Sequence, residues 1–114
     1  MKDKFTTEQK AAIVSALIEM VNADSVVAYE ELVRLNFINY SLGIDDDVFE
    51  LGRSLKYDYA VKMIAEMTDS QKITVAKLMT DIIDSDSEVA DPELATLNDF
   101  CARTGLTHIL APKE

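Results

Sequence analysis

The chain has 114 residues, the size of a single domain. Hydrophobic residues make up 48% and charged residues 28%, which excludes wholesale disorder, and 3 Gly and 2 Pro are too few for a turn-rich all-β fold. With 11 basic and 21 acidic residues the net charge is −10, a field that repels phosphate and makes nucleic acid and anionic membrane surfaces poor partners.

The single cysteine, Cys101, excludes an internal disulfide framework, and with only one histidine, His108, a Cys₂His₂ or His₃ metal site cannot form within one chain. Met1 to Lys10 is polar and carries no apolar leader core. No stretch approaches the roughly 18 apolar residues that span a bilayer. The expectation is a soluble, cytoplasmic protein without membrane insertion.

The predicted elements follow in chain order. Thr6 with Gln9 three residues later reads as a capping box, in which hydroxyl and amide satisfy free N–H groups at a helix start. The helix body carries Ile13, Val14, Leu17, Ile18 and Val21 at helical spacing. Residues 11–21 are apolar on nearly all sides, so this helix is expected at the centre. An acidic loop leads to a second helix over about Tyr29–Leu42, stopped at Gly43. Residues 45–66 read as broken helix. Asp45, Asp46 and Asp47 complement a helix N-terminus, Val48, Phe49 and Leu51 are its apolar part, and Gly52 is expected to weaken or end it. A further helix covers about Tyr57–Met67. Thr68 and Gln71 form a second capping box, ahead of Val75, Leu78, Met79, Ile82 and Ile83. After the acidic loop at 84–90, Asp91 as N-cap and Pro92 at the first helical position open a helix to Thr104, stopped at Gly105. The tail from Thr107 adds at most one turn before Pro112. No strand pattern appears. The reading is one all-α domain over 1–114, a compact bundle of six to seven helices.

The chain also matches itself. Shifted by 62, residues 5–44 fall on 67–106 without a gap, with 12 identities in 40 pairs. Among them are Thr6/Thr68, Gln9/Gln71, Lys10/Lys72, Asp24/Asp86, Glu31/Glu93, Leu35/Leu97 and Gly43/Gly105. Typical residue frequencies give two or three by chance. Each half reads as helix, acidic loop, helix, with residues 45–66 connecting them.

The segments Ala23-Asp-Ser-Val-Val-Ala-Tyr-Glu-Glu-Leu and Ser85-Asp-Ser-Glu-Val-Ala-Asp-Pro-Glu-Leu resemble the duplicated A-D-G-x-[IV]-x-x-x-E-x-x-x-L signature of TerB-like domains, the family of the tellurite-resistance protein TerB. The resemblance covers about residues 5–106. It implies an all-α domain of about seven helices with pseudo-twofold internal symmetry, and no enzymatic activity follows from it. It also implies an acidic surface at Asp24, Glu31, Asp86 and Glu93, and a link to stress or tellurite response. The signature glycine is Ser25 and Ser87 here, and the hydroxyl before the second helix is Ala28 and Ala90, so the loop geometry departs from the pattern.

Residues 81–99 hold seven acids and no base. Carboxylates grouped this way offer hard oxygen ligands to Ca²⁺ or Mg²⁺. An EF-hand is excluded, because its glycine and closing glutamate positions are Val89 and Ala95. A looser cation site from Asp24, Glu31, Asp86 and Glu93 remains, as does a competing architectural role. In the latter, each Asp fixes its loop through backbone N–H groups and the Glu seven residues on closes the same network. Catalysis finds little support: Cys101 falls with Leu94, Leu97 and Phe100 on a helical face and reads as core, and no nucleophile or phosphate motif is present. Phe37, Ile38, Tyr40 and Leu42, or Met20, Met63, Met67 and Met79, could line a docking surface, though helical spacing favours ordinary packing.

The sequence therefore points to a non-enzymatic interaction module whose acidic face receives a divalent cation or a cationic protein partner. The alternatives are a small metal-dependent enzyme using the same acids, and a structural subunit forming a homodimer through an apolar helix face.

Overall fold

A computed structural model describes residues 4–23, 29–84 and 91–107. Six helices appear among them, and no strand: α1 (Thr7–Val21), α2 (Tyr29–Ser41), α3 (Asp46–Ser54), α4 (Tyr57–Ala65), α5 (Asp69–Asp84) and α6 (Asp91–Thr104). The expected tail turn falls largely on residues 108–114, outside the described residues.

The all-round apolar character of α1 has the expected consequence. Ala11 to Leu17 are all buried, with Met20 and Val21, and α1 packs against each of the other five helices. Around it gather Ile64 from α4, Val75, Met79 and Ile82 from α5, Phe100 from α6, and Leu106, all fully buried. The methionines serve this core: Met20, Met67 and Met79 are buried and Met63 packs against it. Cys101 is half-buried against the same core, but Leu94, expected beside it, is 44% exposed.

Local chemistry starts the helices where the residue pattern places the starts. Thr6 accepts from the Gln9 amide at 3.1 Å while Gln9 accepts from the Thr6 amide at 2.9 Å. Thr68 and Gln71 repeat the exchange, both bonds at 3.1 Å. Asp45 caps α3 by accepting from the Val48 amide at 2.9 Å. The helix containing Asp91 includes that residue as its first, one position earlier than a start at Pro92. Gly43 (φ 68°) and Gly105 (φ 83°) adopt the left-handed stop that a side chain resists. Beside each, a lysine ammonium lies 3.9 Å from where a Cβ would stand: Lys10 at Gly43 and Lys72 at Gly105. These features recur at a spacing of 62.

Gly52 overturns one expectation. It does not end the helix, which continues to Ser54. It is buried, and a Cβ there would stand 2.5 Å from Val14 Cβ and 2.8 Å from the Ala11 carbonyl oxygen. The missing side chain lets α3 lie directly on the backbone of α1. Helix propensity, which argued for a break, is outweighed by close packing. The Ser15 hydroxyl donates to the Leu55 carbonyl at 3.2 Å and ties the end of α3 to α1.

Candidate functional site

Of the four acids read as a cation site, Asp24 and Asp86 lie outside the described residues. Glu31 and Glu93 stand in the first turns of α2 and α6, where a carboxylate suits the helix N-terminus. Both are interior: 2% and 3% exposed, respectively. Each holds a polar or electrostatic interaction. Their helices each pack on α1 and α5. Among the described residues no three His, Cys, Asp or Glu side chains gather as a metal-holding group. Glu31 and Glu93 between them offer four carboxylate oxygens, where Ca²⁺ takes six to eight oxygen ligands. Burial of this degree is costly for a carboxylate unless polar partners hold it.

Among the described residues, five of the eight exposed large apolar side chains lie on α2; Leu51, Tyr59 and Leu94 are the others. Leu35 and Ile38 turn into the core, together with Glu31. On the opposite side Tyr29 is 76% exposed, Val33 48%, Phe37 60% and Tyr40 86%. Steps of four, four and three residues set these side chains in one stripe along the helix. Leu32, also exposed, borders it. Tyr29, Glu30, Val33, Arg34 and Phe37 line a shallow groove of about 460 Å³. The Arg34 guanidinium lies 5.8 Å from the centre of the Phe37 ring, a cation–π distance. Of the residues considered for a docking surface, Phe37 and Tyr40 are on it, whereas Ile38 is buried and Leu42 packs against the core. Tyr29 and Val33 complete the stripe. The signal for them was their spacing of four and eight residues from Phe37, hidden because the same helix carries a second apolar face.

The matched helix does not repeat this surface. At a spacing of 62, Tyr29, Val33, Phe37 and Tyr40 correspond to Asp91, Ala95, Asp99 and Ala102, all exposed on α6.

Elsewhere, one polar cluster stands out. Arg103 donates to Asp58 at 2.9 Å and to Asp99 at 3.4 Å, joining α6 to α4. These carboxylates raise the guanidinium pKa, chiefly through the Asp58 hydrogen bond. The guanidinium also lies 5.7 Å from the Tyr57 ring centre. Burial, then the charge of Asp99, pushes the Tyr57 phenol up to about 12, against the opposing pull of Arg103. Burial likewise raises the Cys101 thiol, which disfavours the thiolate a nucleophile needs.

No family model and no curated protein matches the chain. Among solved structures it is similar to PG1108, a protein of unknown function from Porphyromonas gingivalis W83. The two are 26% identical, the match covers 90% of this chain and 86% of the other, and the TM-score is 0.76. The helical architecture is thus one that another natural sequence adopts over nearly its whole length. No helix among the described residues is long and apolar enough to cross a membrane.

Proposed function

We propose that the chain is a non-enzymatic interaction module of the TerB-like type, built from two copies of one helix–loop–helix unit, and that it binds through the outer face of α2. The duplication is supported by the paired capping boxes, the paired left-handed glycines with their lysines, and the paired buried glutamates. Features that both halves share serve the fold they share. A feature of one half alone has no such explanation.

The observation that carries the reading is that difference. Tyr29, Val33, Phe37 and Tyr40 expose an apolar stripe where α6 carries Asp91, Ala95, Asp99 and Ala102. Exposed aromatic residues in water gain nothing for a lone domain, and a contiguous patch of this kind marks a partner site. In this reading the buried Glu31 and Glu93 hold the first turns of α2 and α6 and are not the contact surface.

A photo-crosslinking residue in place of Tyr40, compared in the source cell with one in place of Ala102, tests the assignment. Discrete adducts are expected at position 40 and none at 102. No adduct at 40, or the same adducts at both positions, overturns it.

A further inference from the structure

The apolar stripe of α2 reads alike from either end. Tyr29 and Tyr40 close it, Val33 and Phe37 stand between, and its midpoint falls at residues 34–35. A second α2 laid antiparallel, midpoint on midpoint, brings Tyr29 against Tyr40 of the copy and Val33 against Phe37. Such self-complementarity is what a two-fold interface between identical chains demands, because one patch must serve both sides. A different partner imposes no such demand.

We propose that two copies of the chain pair through these stripes as an antiparallel dimer, an inference that rests on α2 being the binding surface. Area supports it. At their observed exposures, Tyr29, Leu32, Val33, Phe37 and Tyr40 present roughly 600–700 Å². A standard interface takes about 800 Å² from each side, so the stripe supplies most of it and its polar rim the rest. Local charge supports it too. With Glu31 buried, the outward charges of α2 are one acid, Glu30, and one base, Arg34, so the pairing face is nearly neutral on a chain of net charge −10. The remaining charge opposes pairing at a distance, and salt screens it. Dimerisation therefore strengthens with ionic strength, whereas a cationic partner would bind more weakly.

Sedimentation velocity on the full chain across the micromolar range reads this directly. The expected result is a concentration-dependent change from one chain to two, shifted to lower concentration by added salt. Phe37→Asp and Tyr40→Asp each weaken it by about 100-fold or more, and Ala102→Asp leaves it unchanged. All three positions are exposed, and circular dichroism checks that the variants fold. Register is read in a Cys101→Ser background: Tyr29→Cys mixed with Tyr40→Cys forms the mixed disulfide in preference to either homodisulfide. A single-chain species at every concentration and salt overturns the dimer, as does pairing that survives Phe37→Asp or prevalent homodisulfides. A single-chain species that still crosslinks to a different protein through position 40 refutes the dimer and leaves the α2 surface standing. Loss of both refutes the surface as well.

Discussion

Replacing Gly52 by alanine should destabilise the protein, although the same change inside most helices stabilises it. Alanine is favoured over glycine in a helix by about 0.8–1 kcal/mol. Here the new methyl would stand 2.5 Å from Val14 Cβ, 2.6 Å from Val14 Cγ1 and 2.8 Å from the Ala11 carbonyl oxygen. The carbonyl belongs to the central helix and cannot rotate away, so α3 must lift from α1. Overpacking of this kind costs typically 1–3 kcal/mol, and contact with backbone puts it at or above the upper end. The net expectation is a loss of about 2 kcal/mol, or a fall in Tm of about 5–10 °C. Urea and thermal unfolding followed by circular dichroism measure it. Val14→Gly removes both Val14 contacts, Cβ and Cγ1, and leaves only the Ala11 carbonyl, so the double variant should lose about 1 kcal/mol less than the sum of the single changes. Stabilisation by Gly52→Ala, or strict additivity with Val14→Gly, would show that the two helices do not meet at this glycine.

Thr6→Ala and Thr68→Ala should each cost about 1 kcal/mol, measured by urea unfolding, because each removes the acceptor of a capping box on an exposed helix start. A tenfold disparity in their effects on the unfolding constant would count against equivalent caps. Glu31→Ala and Glu93→Ala should each cost about 1–3 kcal/mol by leaving buried polar groups unsatisfied, with the Gln variants milder. A rise in Tm on adding millimolar Ca²⁺, Mg²⁺ or Mn²⁺ that disappears in Glu93→Gln would instead assign these acids to a cation site. Tyr57, with its phenol pushed up to about 12 from 10, stays neutral in the folded chain over a range where the unfolded chain ionises. Its contribution to stability is therefore complete below pH 10 and lost as pH rises to about 12. Tyr57→Phe should flatten the alkaline decline of stability in that window, and an unchanged slope would refute the assignment.

Much of the fold was legible because its signals are local. Thr6 with Gln9, and Thr68 with Gln71, satisfy backbone donors three residues away and need no distant partner to start a helix. Gly43 and Gly105 end helices through their own backbone freedom. The apolar run of residues 11–21 has only one way to leave water, which is to be surrounded. The candidate site was less legible. Phe37 and Ile38 are adjacent apolar residues on one helix, and periodicity alone does not say which of its two apolar sides meets the core.

Helix starts, helix stops, the all-helical class and the identity of the central helix thus follow from the sequence, since each depends on neighbours within about one turn or on total burial. Tertiary structure decides three further matters. It makes Gly52 a contact in place of a break, takes Glu31 and Glu93 out of solvent, and turns Tyr29, Val33, Phe37 and Tyr40 outward. Each depends on which helix lies opposite, a choice settled by the fit of whole surfaces and not by any short stretch of chain.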